Sequence, residues 1–321
     1  MAQPTSLFET YDAAGNKDDL SDVIYNISPT QTPFLSMAQR LKARNTYHEW
    51  QTDSLAAAAD NSVIEGDDAT LDTAAATARV GNYTQISDKT VVVSGTQEVV
   101  DKAGRKSELS YQVAKRSKEL KRDMELILTG NFASSAGVGG PPGTARHLGS
   151  VEAWLTSNVN RGAGGASGGF SGTIAAAATD GTQRAYTESL LKNVIQSCWA
   201  NGGDPATIIV GPKNKAVGST FTGIATQYRE NSGMKQATII AGADIYVSDF
   251  GEHRIFPSRF SRDRSVLVLD MEYWGVAYLR PFQQIELAKT GDSEKRQLLV
   301  EYTLVAKQQA ASGVVADLTT P

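Results

Sequence analysis

The chain has little of what a disulfide, a zinc site or a membrane anchor requires. Its 321 residues include a single cysteine, Cys198, which excludes an internal disulfide and fits a reducing compartment. The three histidines (His48, His147 and His253) lie in different segments and show no metal-ligand spacing. No apolar run is long enough to span a bilayer, and residues 1–15 lack the features of a signal peptide. The sequence therefore predicts a soluble protein made in the cytoplasm.

A strong excess of positive charge is also missing. The net charge is −4 and the pI is near 5.5, which argues against a protein devoted to nucleic-acid binding. The most basic segment, 101–125, has eight Lys or Arg against five Asp or Glu, as expected for a solvated helix face. Segment 249–264 has four arginines against three acidic residues, which favours an ion-paired interface over a phosphate-binding track.

Lysine is absent between Lys42 and Lys89, where the chain makes a long excursion. The pattern predicts a strand at 45–51, a loose alanine-rich tip at 55–79 and a return strand at 78–93. The tip holds no aromatic residue, so it cannot form a core of its own. Because a two-stranded hairpin is marginal alone in water, the excursion needs a partner surface. This predicts a protein whose role is assembly.

The rest of the chain predicts an α+β fold. Apolar residues recur at helical spacing over 107–130, through Leu109, Val113, Leu120 and Met124. A short helix is expected at 18–27, followed by a turn-rich, extended connection at 26–34 that contains Pro29 and Pro33. A short helical piece is expected at 145–156, a second helix at 187–201 and a short buried strand at 207–210. The tail, 273–306, has the alternation of long strands broken by a turn at 290–293, with Leu298, Val300, Tyr302 and Leu304 on one face.

Catalytic and ligand-binding motifs fail when their structural context is considered. Ser167 lies in a G-x-S-x-G pattern, but inside a glycine-rich passage and without the strand and helix that a nucleophile elbow needs. Residues 211–215 resemble a phosphate loop but lack its G-K-[ST] ending. The acidic tip does not fit an EF-hand. We therefore expect no catalytic, cofactor-binding or metal-binding residues, and no enzyme.

Several segments together resemble the major capsid proteins of tailed double-stranded-DNA bacteriophages. The resemblance covers nearly the whole chain and is strongest over 30–130. The segments that carry it are TPFLSM (32–37), HEWQTDSL (48–55), IEGDDAT (64–70), RVGNYTQIS (79–87), KTVVVSGTQEVV (89–100), AGRKSELSYQ (103–112) and KELKRDME (118–125).

The resemblance implies the Hong Kong-type capsid fold and a division of the chain. The implied parts are an N-terminal arm (1–45), an extended loop (46–93), a peripheral domain with the spine helix 107–130 (94–186), an axial domain (187–272) and C-terminal strands that return to the peripheral domain (273–321). The implied function is a virion capsid shell of hexamers and pentamers, assembled in the host cytoplasm around double-stranded DNA that is not bound sequence-specifically. Portal, scaffolding and decoration proteins are further implied partners.

Two departures from the resemblance bear on assembly. Some relatives carry a scaffolding segment before the arm, whereas the arm here begins close to Met1, so a scaffold is expected to be separate or absent. Some relatives cross-link a lysine of the extended loop, and this loop has none at its tip. Ten residues are predicted to lie at subunit interfaces: Tyr47, Trp50, Val63, Ile64, Asp67, Asp68, Arg79, Tyr83, Arg254 and Arg259. A serine hydrolase using Ser167 and an oligomeric nucleic-acid-binding protein are the alternatives.

Overall fold

The computed structural model describes residues 31–68, 74–221 and 244–320 and shows the expected mixture of helices and strands. The helices are α1 (Pro33–Met37), α2 (Gly95–Val99), α3 (Glu108–Thr129), α4 (Val151–Trp154), α5 (Glu188–Ala200) and α6 (Pro212–Gly218). The strands are β1 (Gln39–Lys42), β2 (Tyr47–Thr52), β3 (Ala78–Tyr83), β4 (Gln85–Ser94), β5 (Asn158–Asn160), β6 (Gly169–Ser171), β7 (Ile174–Ala176), β8 (Thr207–Val210), β9 (Ile245–Ser248), β10 (Gly251–Pro257), β11 (Val266–Leu269), β12 (Trp274–Glu286), β13 (Ser293–Ala306) and β14 (Gly313–Val315).

A four-stranded sheet carries the long helix. Its strand order is β1-β12-β13-β4, with β1 parallel to β12 and the other pairs antiparallel. One face of β13 packs against α3, as its alternating pattern predicted. The residues buried there are Leu120, Met124 and Leu128 from α3 and Leu298, Val300, Tyr302 and Leu304 from β13. Each large apolar side chain contributes about 1.5–3 kcal/mol when fully buried, so this face anchors the helix.

The opposite face of β13 is covered as well. Glu301 and Thr303 lie there and are almost completely buried. The Glu301 carboxylate accepts hydrogen bonds from Thr84 Oγ1 (2.9 Å), Arg146 (2.6 Å) and Arg280 (2.7 Å). Charged partners on both oxygens satisfy the carboxylate, which makes its burial tolerable.

The return strand of the excursion divides at Thr84. Before it, β3 pairs with β2, and after it β4 pairs with β13. Thr84 is fully buried, its amide donates to Thr46 O at 2.7 Å, and its hydroxyl donates to Glu301. The predicted extended loop of 46–93 thus contains β4, which is an integral strand of the four-stranded sheet.

A second sheet has six strands in the order β5-β14-β11-β8-β10-β9, with α5 packed against it. The predicted strand at 207–210 is β8, buried along its whole length. The sheet also includes β5 and β14, which come from outside the predicted axial range of 187–272. The predicted C-terminal strands, 273–321, are therefore divided between the two sheets. Strands β12 and β13 belong to the first sheet, and after a turn at Gln309–Ala311 the chain enters the second sheet as β14.

Local details of two predicted helices differ from expectation. Helix α3 is confirmed, and Ser107 Oγ caps it by accepting from the Ser110 amide at 3.1 Å. Leu120 and Met124 are buried as expected, whereas Leu109 and Val113 are half-buried. Of the helical piece expected at 145–156, residues Val151–Trp154 form a helix, α4.

The arm also differs near its end. The expectation of an extended connection over 26–34 was wrong for its last residues, because Pro33 starts α1. Proline is favoured at the first helical position, where no amide donor is required. Residues 26–30 and the helix expected at 18–27 lie outside the described ranges.

Candidate assembly interfaces

The base of the excursion is fixed to its own subunit by aromatic side chains. Trp50 Nε1 donates to Ala306 O at 2.8 Å, and its ring lies 5.4 Å from that of Trp154. Trp154 in turn stacks on Phe170 at 5.5 Å. Tyr47 and Tyr83 face each other across β2 and β3 with their ring centres 4.6 Å apart. Such pairs contribute about 0.5–1.5 kcal/mol beyond their buried area, so β2 and β3 leave the subunit in a defined direction.

The outer end of this ribbon carries an exposed ion pair. The Arg79 guanidinium contacts the Glu49 carboxylate across the two strands. Both side chains remain accessible to solvent, and the Arg79 side chain is 71% exposed. This pair marks the point where the anchored base gives way to the tip (55–79).

The tip has no regular structure over 55–68 and 74–77, and its last two residues begin β3. Leu55 is 99% exposed, and Val63 and Ile64 are each 80% exposed. A turn follows at Glu65–Gly66, where the Asp67 amide donates to Ile64 O at 3.1 Å and Gly66 takes a φ of +86°. Large apolar side chains held in water next to several carboxylates form a surface suited to burial against another protein.

The two predicted arginines of the second sheet are on its surface. Arg254, on β10, and Arg259, which follows it, are both exposed and form no ion pair with any described residue. The other two arginines of segment 249–264 behave differently. Arg262 binds Glu152 (2.9 Å) and Asp180 (2.7 Å), and Arg264 binds Asp317 (3.2 Å). The predicted ion pairing is thus partly internal to the subunit.

The sequence prediction missed two buried carboxylates that hold the connections between elements. Asp317 is fully buried, takes a φ of +59°, and accepts hydrogen bonds from the Gly162 (3.0 Å) and Gly181 (2.7 Å) amides. Glu152 is also fully buried and accepts from Arg161 (3.1 Å), Arg262 and Ser265 Oγ (2.8 Å). Together they fasten the glycine-rich passage to the second sheet.

Glu125, on α3, is the third missed carboxylate. It is fully buried and accepts hydrogen bonds from the backbone amides of Phe34 (2.9 Å) and Leu35 (2.8 Å). It therefore caps α1 from another helix, in place of Thr32, whose side chain makes no capping bond. Burial raises the pKa of Glu125 to about 7, although both amide donors oppose the shift. The signal available in the sequence for this buried carboxylate was one acidic residue, Glu125, within the otherwise apolar run 124–128.

The comparison with protein families covers almost the entire chain. Residues 5–319 match the model of the family described as SU10 major capsid protein. The chain belongs to the SU10 major capsid protein family.

Known proteins agree with this assignment. The chain is 27% identical over 351 residues to the major capsid protein of Escherichia phage Phieco32, which covers 98% of this chain and 97% of the relative. Among solved structures, it is similar to that of Gordonia phage Cozz, with a TM-score of 0.61, 13% identity and coverage of 99% and 98% of the two chains. It is also similar to the capsid asymmetric unit of cyanophage A-1(L), with a TM-score of 0.63, 11% identity and coverage of 97% and 99%. The last two likenesses show a shared fold.

The resemblance to major capsid proteins of tailed phages and the capsid fold that it implies are thus confirmed. The protein is a major capsid protein of a phage, a component of the virion capsid. The ten predicted interface residues fall into three places in this capsid protein: the excursion base and its outer end, the tip, and the surface of the second sheet. Their contact with neighbouring subunits stays a prediction.

The context of Ser167 in the capsid protein does not match a nucleophile elbow. Ala166 forms an isolated bridge with Thr179, and the short strand β6 follows instead of a helix. The described residues include no group of three or more His, Cys, Asp or Glu side chains arranged to hold a metal ion. Within the same ranges, no helix has both the length and the apolar character to cross a bilayer.

Proposed function

We propose that this capsid protein assembles with copies of itself into hexamers and pentamers that close into an icosahedral shell around double-stranded DNA. The observation that carries the proposal is the contrast within the excursion. Its base is locked to the subunit through Trp50 and Trp154, while Leu55, Val63 and Ile64 of the tip stay 80–99% exposed. A rigid base that presents an unburied apolar tip supplies one half of an interface.

The mechanism is geometric. Because β2 and β3 are held by aromatic contacts, little freedom of the base is lost on binding, and preorganisation of this kind lowers the entropic penalty of association. Each subunit offers the same surfaces, so repeated contacts close into a symmetric shell. Many modest contacts made at once stabilise the shell without strong pairwise affinity.

The net charge of the chain is compatible with a shell that encloses DNA without binding it tightly. At a net charge of −4, the protein does not attract the DNA backbone as a whole, so the genome is enclosed without being gripped or read by sequence. Assembly in the host bacterial cytoplasm fits the single, buried Cys198, which needs no oxidising compartment. Portal and decoration proteins, and a separate scaffolding protein where one exists, belong to this proposal as partners of the shell or of its assembly.

Electron microscopy and sedimentation of the purified chain test the proposal. We expect capsomers, sheets or shells across a range of salt and pH. A monodisperse monomer at high concentration, including in the presence of the phage's own scaffolding protein where one exists, contradicts the proposal.

The proposed role includes no catalysis. A serine-reactive probe should leave Ser167 unlabelled in the folded protein, because no strand–turn–helix activates it. Stoichiometric labelling at Ser167 would favour the hydrolase alternative. A DNA shift assay at increasing salt addresses the nucleic-acid alternative, for which a steep loss of tight binding with salt is the signature.

A further inference from the structure

A pocket of about 370 Å³ lies between helix α5 and the turn that joins β9 to β10. A volume of this size falls within the range of small-ligand sites in proteins, about 300–1,000 Å³. The lining side chains that decide its chemistry are Lys192, Asn193 and Gln196 from α5 and Ser248, Asp249 and Phe250 from the turn. We call this the α5 pocket.

An exposed aromatic surface borders the α5 pocket. The rings of Phe250 and Trp199 lie 5.2 Å apart between centres and at 36° to each other. Trp199 is 57% exposed, whereas the other three tryptophans of the chain are buried or half-buried. A large ring left in water beside a pocket offers a flat apolar surface to a ligand.

The turn that forms one wall of the pocket is held by a buried histidine. His253 is fully buried, and its Nδ1 donates to Pro205 O at 2.6 Å, because a carbonyl oxygen can only accept. Ser248 Oγ donates to His253 Nε2 at 2.7 Å and accepts from the Phe250 amide at 3.2 Å. These bonds fix the backbone that carries Asp249 and Phe250, so the wall exists before a ligand arrives.

The pocket offers no unpaired positive charge from its lining. Lys192 is the lining cation, and its ammonium is paired with the Glu188 carboxylate at 2.9 Å. The Asp249 carboxylate also acts on Lys192 and raises the pKa of that ammonium further. A phosphate or carboxylate ligand would therefore meet a cation that two carboxylates already neutralise, so an anion is disfavoured here.

Two free amides supply hydrogen bonds in both directions. Asn193 and Gln196 are exposed three positions apart on one face of α5, and neither side-chain amide bonds to a described residue. Each amide carries two N–H donors and one acceptor oxygen. The hydroxyl groups of a sugar both donate and accept, while the C–H face of a sugar ring packs against aromatic rings. The lining thus matches a neutral ligand that is rich in hydroxyl groups and has one apolar face.

We propose that the α5 pocket binds a neutral oligosaccharide. One sugar ring packs on Trp199 and Phe250. Its hydroxyl groups bond to the side chains of Asn193, Gln196 and Asp249. This inference goes beyond the shell-forming role, because it gives the assembled particle a means of attaching to sugar polymers.

Calorimetric titration of purified shells with four hexasaccharides tests the chemistry of the ligand. Chitohexaose and maltohexaose are neutral, fully deacetylated chitohexaose is a polycation, and hexagalacturonate is a polyanion. We expect saturable binding of at least one neutral probe and weaker binding of both charged probes. No saturable binding of either neutral probe, or a charged probe that binds about tenfold tighter than both, overturns the proposal.

Substitutions locate the site within the subunit. W199A removes the exposed ring and should weaken binding about tenfold, as expected for a tryptophan at the centre of a binding surface. Q196A removes one exposed amide and should weaken binding about threefold. The matched control F132A removes another exposed ring, 43% accessible and outside the pocket, and should bind as the wild type does. Equal affinities for the wild type and W199A, with thermal unfolding showing that both are folded, overturn the proposal.

Titration of unassembled subunits shows whether the pocket stays open in the particle. We expect shells and subunits to bind the neutral probe with the same affinity per chain. Binding by subunits that is lost in shells overturns the proposal, because neighbouring copies then cover Trp199. A wild-type chain that forms no shells contradicts the proposed function alone, and the subunit titration with W199A and F132A still decides the fate of the pocket assignment.

Discussion

The Glu125 carboxylate accepts a 2.9 Å hydrogen bond from the backbone amide of Phe34, ninety-one positions earlier in the chain. The same carboxylate binds the next amide, that of Leu35, at 2.8 Å. A buried side chain of α3 thereby fixes the first turn of α1. The start of α1 is thus held by one buried carboxyl group whose pKa burial raises to about 7.

The first prediction concerns the pH dependence of subunit stability. Burial raises the pKa of Glu125 to about 7 in the folded chain, against 4.5 as its ordinary value. Between those values the folded state holds a proton that the unfolded state has lost, so the free energy of unfolding falls as the pH rises from about 4.5 to about 7. A shift of this size corresponds to a loss of free energy of unfolding on the order of 3 kcal/mol across this pH window.

Urea unfolding from pH 5 to pH 8 checks this prediction. Glu125→Gln cannot titrate, so its stability should vary less over this window than that of the wild type. Glu65→Gln, at an exposed position of the tip, is the matched control and should keep the wild-type slope. Parallel curves for the wild type and Glu125→Gln would refute the assignment.

A second prediction addresses the buried ion pairs. Glu152→Gln removes the charge that Arg161 and Arg262 share, and the Arg161 side chain is only 5% exposed. Breaking a buried pair from one side typically costs about 3–5 kcal/mol, because the remaining charge is left uncompensated. Thermal unfolding should show a large loss, while the exposed control Asp67→Asn should stay within about 0.5 kcal/mol of the wild type. An unchanged melting temperature for Glu152→Gln would be inconsistent with this role.

The sequence predicted those elements whose signal is local. The helical spacing of Leu120 and Met124 and the alternation of Leu298 to Leu304 are visible within one turn or one strand, and both are confirmed. The alanine-rich, aromatic-free tip likewise follows from composition, and its described residues have no regular structure before β3 begins. Family resemblance then supplied the capsid fold that these elements build.

Other features depend on contacts between distant residues and could not be read from a local pattern. The three-residue strand β14 has no distinctive pattern until β5 and β11 pair with it. In the sequence, Thr84 looks like an ordinary strand residue. In the structure, its hydroxyl donates to the distant Glu301 carboxylate at the point where the chain passes from the β2–β3 pair into the four-stranded sheet. The capping of α1 by Glu125 joins positions 34 and 125, and neither segment alone indicates the other.

A third prediction concerns covalent bonding in the mature shell. Residues 43–88 contain no lysine, and Lys42 and Lys89 are held in strands β1 and β4 of the four-stranded sheet. The tip and the β2–β3 pair therefore have no lysine amine to offer for a lysine–asparagine cross-link, and the Lys89 ammonium is paired with Asp123 of the same subunit at 2.7 Å. Particles boiled in detergent and run on a denaturing gel should give single chains. A ladder of covalent multimers would contradict this prediction.

The fourth prediction separates folding from assembly at one buried leucine. Leu120 is 1% exposed in the core between α3 and β13, so Leu120→Ala should cost about 2–5 kcal/mol. Leu126 lies on the same helix but is 49% exposed, and Leu126→Ala should cost much less. Thermal unfolding of the isolated subunits compares the two. Equal melting temperatures would show that the helix face has been assigned wrongly.

Electron microscopy of a tip deletion shows whether the excursion joins one subunit to the next. Removing residues 56–77 and joining β2 to β3 by a short turn deletes the exposed apolar surface but leaves the anchors Trp50 and Tyr83 in place. Loop length has only a small effect on closure entropy, so the subunit should keep its melting temperature. We expect a folded subunit that forms no shells. Normal shells from the deletion variant would contradict the claim that the excursion joins one subunit to the next.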